Sequence, residues 1–205
     1  MVTRFFLDTN VIVQYIIFNQ LSKRKEKLQK GTPSYERYEM AHKLIKKVID
    51  FDNEKVLFFI SLLVRAEFYS ALFEEYKCRE MYKGGIPLGF WHITKNKVKL
   101  EDEHRNEINI AIAEFENQNV SEAKNKIWSS WDVYHYPLIS EFASRYNIRS
   151  HDSILISTAM FNHCDYFVTL DKRLIDTFKP DVITFGGRKI KLISPDIACE
   201  IINKI

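Results

Sequence analysis

Asp8, Glu67, Asp152 and Asp171 are carboxylates whose flanking sequence in each case reads as buried. Asp8 ends the apolar run Phe5-Phe6-Leu7, and Asp171 ends Tyr166-Phe167-Val168-Thr169-Leu170, so both follow short runs with the pattern of buried strands. In a parallel α/β sheet the C-terminal ends of the strands are where sites form. Glu67 lies in a helical pattern with Leu63, Val64, Ser70 and Ala71 on its own face, which turns the carboxylate inward. A lone buried carboxylate tends to take up a proton, whereas several converging ones repel unless a cation lies between them. All-oxygen ligation suits Mg²⁺ or Mn²⁺ rather than zinc, and such ions orient and activate water for attack on a phosphodiester.

Each acid also has an ordinary structural explanation. Asp8 and Asp152 each stand at the start of an apolar helix and could cap its free N–H groups. Asp171 could simply follow a strand, and Glu67 could meet a distant Arg or Lys. Four such coincidences at one sheet edge are harder to accept than one metal site, so the acids are read together as catalytic metal ligands.

The elements that must position them alternate. Residues 4–8 read as a strand leading into a helix from Asn10 to Phe18, and Tyr35 to Ile49 as an amphipathic helix. Val56 to Ile60 reads as a strand, followed by the helix from Leu62 to Tyr76 that carries Glu67. Leu138 to Tyr146 and His151 to Asn162 read as helices, and Tyr166 to Leu170 as a strand. Val182–Phe185 and Lys189–Ser194 flank Gly186-Gly187 as a hairpin, and Asp196 to Lys204 reads as a short helix.

Other residues invite functional readings beside plain ones. The basic run Lys23, Arg24, Lys25 and Lys27 reads first as a solvated helix end and alternatively as an RNA-contacting loop. His151 adjoins Asp152 and could reach a substrate phosphate. Trp128, Trp131, Tyr134 and Tyr136 are read as packing residues of an inserted segment, with base stacking as the alternative. Gly84-Gly85 lacks the context of a phosphate loop.

Hydrophobic residues at 46% and charged residues at 28% exclude a wholly disordered chain, and a net charge of +3 permits a nucleic-acid partner without demanding one. The length of 205 residues, without a Gly/Ser/Pro-rich linker, implies one domain over 1–205 with an inserted segment at about 77–137. Three scattered cysteines without a CxxC pair suggest neither disulfides nor a zinc ribbon, and a reducing cytoplasm is the expected compartment. No apolar run approaches the roughly 18 residues of a spanning helix, so no membrane partner is expected.

On these same residues the chain resembles the PIN domain family. Phe6-Leu7-Asp8-Thr9-Asn10-Val11 is similar to the family's opening motif, and Ser61 to Ala71, around Glu67, to its second acidic helix. His151-Asp152-Ser153 through Ala159 is similar to the third motif, and Val168-Thr169-Leu170-Asp171 to the fourth. The resemblance implies a three-layer α/β/α fold with a central, mainly parallel sheet, here with a helical insertion. It implies a Mg²⁺- or Mn²⁺-dependent endoribonuclease, either a VapC-type toxin with an antitoxin partner or an RNA-processing nuclease, and it brings the family's homodimer as an expectation. Asp8, Glu67, Asp152 and Asp171 would be the metal ligands, with Asn10 and Thr169 orienting carboxylates or water. The alternative is a PIN-like module that binds RNA or protein with weak or no cleavage.

Overall fold

The computed structural model describes residues 2–23, 33–51, 54–119, 126–179 and 182–205. The first strand, β1 (Thr3–Leu7), places Phe5, Phe6 and Leu7 out of contact with solvent on consecutive positions, so both its faces are covered. Parallel strands β2 (Val56–Ser61) and β4 (Tyr166–Val168) lie on either side of it. β3 (Trp128–Ser130) pairs in parallel with β2, and β6 (Arg188–Ile193) with β4. β5 (Ile183–Phe185) closes the far edge antiparallel to β6, giving the order β3-β2-β1-β4-β6-β5. The β5–β6 turn needs positive φ at both central residues, and Gly186 (55°) and Gly187 (78°) provide it.

The protein is therefore α/β, with a mostly parallel central sheet flanked by helices. α1 (Thr9–Lys23) is apolar nearly all round and packs against α2 (Pro33–Asp50) and α3 (Leu62–Lys83), which together bury it. In α2, Tyr38, Ala41, Leu44, Ile45 and Val48 form the buried stripe while Lys43 and Lys46 stay exposed, as the helical period requires. α6 (Tyr136–Tyr146) packs against α7 (Ser150–Phe161), and Asn147, at φ 51°, ends α6 in the left-handed conformation. α8 (Lys172–Thr177) follows β4, and α9 (Pro195–Ile202) follows β6 and packs on α2. No helix among the described residues is long and apolar enough to cross a membrane.

Residues 77–137 hold the last turns of α3, two 3₁₀ turns flanking α4 (Trp91–Thr94), then α5 (Asp102–Asn119) and β3. α5 buries Ile108, Ala111, Ile112 and Phe115, and packs against α3 and α1. This stretch thus supplies both an edge strand and a core-facing helix.

Because β1, β2, β3, β4 and β6 are parallel, their C-terminal ends share one edge, which receives Asp8, Ser61, Trp131, Thr169 and Ser194. Stacked rings hold the strands below that edge: Phe5 on Phe58 at 5.4 Å and Phe6 on Phe167 at 5.6 Å between centroids. Truncating Phe6 to Ala should cost about 3–5 kcal/mol of stability, the usual loss for a fully buried Phe. Urea unfolding of Phe6→Ala checks this, and a loss below about 1 kcal/mol would mean that the core collapses around the gap.

Candidate functional site

Asp8 is the first residue past β1 and is only 6% exposed. Its Oδ2 accepts hydrogen bonds from Asn10 Nδ2 and from Thr169 Oγ1, each at 2.6 Å. Thr169, fully buried, in turn accepts from Asn10 Nδ2 at 2.9 Å and from the Asp171 N–H at 3.0 Å. Asn10 Oδ1 accepts from the Leu170 N–H at 2.9 Å. The start of α1 and the β4–α8 corner are therefore joined through the surroundings of one carboxylate. Burial nevertheless pushes the Asp8 carboxyl up to about 7, against the Thr169 hydrogen bond, and the charges of Asp152 and Glu67 push the same way.

Glu67, a turn and a half into α3, is partly buried. Its Oε2 accepts from Thr9 Oγ1, and its Oε1 stands 2.9 Å from His151 Nδ1. The expected distant Arg or Lys partner is thus a histidine, brought across by the start of α7. Asp152 lies in the first turn of α7 but not at its cap: Arg149 holds that position without a side-chain cap bond. The Asp152 carboxyl is raised by burial and by the neighbouring charge of Asp171, with His151, Arg149 and Arg173 opposing the rise. The capping acid is Asp171 instead, whose Oδ1 accepts from the Leu174 N–H at 3.1 Å at the start of α8.

The sequence pattern reads all four acids as buried, but only Asp8 is; Glu67, Asp152 and Asp171 keep partial contact with solvent. The physical reason is that they stand near the N-terminal ends of helices leaving the sheet edge, Asp171 at the cap of α8, Asp152 in the first turn of α7 and Glu67 in the second turn of α3, where the side chains keep a solvent-facing side. They still fall within electrostatic reach of one another: Asp8 feels Asp152 and Glu67, and Asp152 feels Asp171. Thr9, which holds Glu67, carries no sequence signal beyond its place in the motif around Asp8. Exposed Arg149 and Arg173 beside Asp152 are also invisible as a pair in the sequence, since the whole of α7 and β4 separate them.

The donor set fits a hard divalent cation in chemistry, being carboxylate oxygen with hydroxyl and amide support. In the arrangement seen, Glu67 is engaged by Thr9 and His151 and Asp171 by the α8 N-terminus. Among the described residues no three His, Cys, Asp or Glu side chains close on a shared point. His151 Nε2 is shielded from solvent and has no hydrogen-bond partner among the described residues, so one polar atom beside these acids has unused bonding capacity.

Of the basic run, Lys23 pairs with Glu114 at 2.6 Å, while Arg24, Lys25 and Lys27 lie outside the described residues. The packing assignment of the aromatics is overturned: Trp128, Trp131, Tyr134 and Tyr136 are 45%, 79%, 54% and 76% exposed. Their loop is fastened by backbone and small polar groups, which leaves the rings outside.

No family model matches the chain, and no curated protein matches it.

Asp8 yields a pH dependence. Its carboxyl titrates near 7 in the folded chain and near 3.8 when free, so between those values the folded state binds more protons and stability falls as pH rises. At about 1.36 kcal/mol per pKa unit, the penalty above pH 7 is up to about 4 kcal/mol. In EDTA, Asp8→Asn should therefore melt at or above the wild-type temperature at pH 8, and the advantage should vanish near pH 4. A variant that melts well below wild type at pH 8 would show that the hydrogen bonds of the charged carboxylate outweigh its burial.

Proposed function

We propose that this protein is a metal-dependent endoribonuclease with a PIN-like α/β/α fold, hydrolysing RNA phosphodiester bonds in Mg²⁺ or Mn²⁺. The observation that carries the reading is the gathering of Asp8, Glu67, Asp152 and Asp171 from four separate segments at the C-terminal edge of the parallel sheet, with Asp8 raised to about 7. A fold gains nothing in stability from such mutual repulsion, so a use for it is indicated.

When bound, the cation would supply charge neutralisation and an activated water. Asp8 and Asp152 would hold it, with Glu67 and Asp171 nearby. Thr169 and Asn10 both donate to Oδ2 of Asp8, which fixes that carboxylate's direction and leaves its other oxygen free of them. Glu67 is held differently, with Thr9 on Oε2 and His151 beside Oε1, so that both of its oxygens are engaged. Arg149 and Arg173, exposed beside Asp152, suit the phosphate groups of the substrate strand. The products expected are 5′-phosphate and 3′-hydroxyl ends.

A second reading, an RNA- or protein-binding module with little cleavage, is favoured by one fact: Glu67 and Asp171 are already occupied by protein partners. An antitoxin and a homodimer remain further proposals that follow from the family resemblance alone.

Purified protein should cut RNA in Mn²⁺ and stop in excess EDTA. Asp152→Asn should lower cleavage at least about 100-fold while keeping the melting temperature within a few degrees, because it removes charge and not volume. RNA bound equally by wild type and variant, with no cut by either in any divalent metal, would select the binding module. Undiminished cleavage in EDTA would sink the metal chemistry.

A further inference from the structure

We propose that Trp131 is a stacking platform that holds an unpaired base of single-stranded nucleic acid beside the carboxylates, an inference that rests on the nuclease reading. Between residues 128 and 136 the large exposed side chains are all aromatic, and Trp131 is the most exposed at 79%. Such a ring gives the fold almost no burial energy, yet its backbone is held firmly on both sides. Ser130 Oγ donates to the Ile60 carbonyl at 3.1 Å, and Asp132 Oδ2 accepts from the Leu63 N–H at 2.9 Å. The Val133 N–H then donates to Thr158 Oγ1 at 3.0 Å.

These anchors tie the loop to the two helices that carry site acids. Leu63 lies one helical turn before Glu67 on α3, a rise of about 6 Å, and Thr158 is on α7 with Asp152. β3 is separated from β1 by β2 alone, so the strand end leading to Trp131 stands about 10 Å from the strand end leading to Asp8. A solvent-facing indole carried on backbone anchored at that strand end can stack a base of a strand whose phosphate lies at the acids, with Arg149 and Arg173 available to the backbone. Bases in a duplex are already stacked on one another, so the platform selects unpaired strands. The face of any base suffices, so sequence preference at this position should be weak.

The test measures binding in EDTA, where cleavage does not intervene, with a fluorescent oligouridine of about 12 nucleotides, within the range of single-strand site sizes. A blunt RNA duplex of equal length serves as the comparison. Trp131→Leu keeps bulk without a π face and should weaken oligouridine binding roughly ten-fold, or about 1.4 kcal/mol, while Trp131→Phe stays within about threefold of wild type. Duplex binding should not change, and thermal melting should be that of wild type for both variants because the side chain is outside the core. Trp131→Leu binding oligouridine as wild type does would overturn the stacking role and leave the nuclease reading standing. Equal losses for single strand and duplex would also overturn it. Wild-type protein that binds neither RNA would overturn the platform, and cleavage in Mn²⁺ then decides the nuclease reading separately.

Discussion

The Asp8 carboxylate is withdrawn from water at the end of the central strand, and Thr169 and Asn10 each donate to one of its oxygens at 2.6 Å. Those two donors are placed by different corners of the chain, one just after β4 and one in the first turn of α1. Their own remaining capacity is used on backbone groups, at Asp171 and Leu170. The carboxylate therefore does structural work, since it sets the register between two strand-to-helix corners. Burial still outweighs this hydrogen bonding, as the shift towards neutrality shows.

The other acids are arranged around that one at lower cost. Asp171 satisfies an N–H at the start of α8, Asp152 gains from the positive end of α7, and Glu67 has a hydroxyl and an imidazole beside it. Each acid is thus locally tolerable, and the strain is collective: every one of the charges is felt by a neighbour of the same sign. A fold that retains this pattern gives up stability where it could have used apolar residues, the usual sign of a site maintained for use.

Residues 77–137 extend the same edge outward. α5 covers α3 with a buried apolar stripe, and β3 lengthens the sheet by one strand beyond β2. The chain leaving β3 returns over the start of α3 and the later part of α7, fastened by Asp132 to Leu63 and by Val133 to Thr158, before α6 begins. His135 completes that path by accepting from the Leu138 N–H at the α6 cap and stacking on Phe161.

Sequence alone determined the strands and helices wherever apolar spacing is one-sided or continuous. Phe5-Phe6-Leu7, the stripe from Tyr38 to Val48, and the Gly186-Gly187 turn are legible because local sterics and burial act over a few residues. The same short-range signals mark Asp8, Glu67, Asp152 and Asp171 as candidates and place two of them after strands. Which acid caps a helix, which is buried, and what faces Glu67 were decided by the tertiary structure, because Thr9, His151 and Thr169 reach their partners across 58, 84 and 161 residues of chain. The aromatics of 128–136 show the same limit. Their spacing reads as packing, yet a ring's burial depends on which surfaces the fold brings over it, and here anchored backbone on both sides leaves Trp131 facing water.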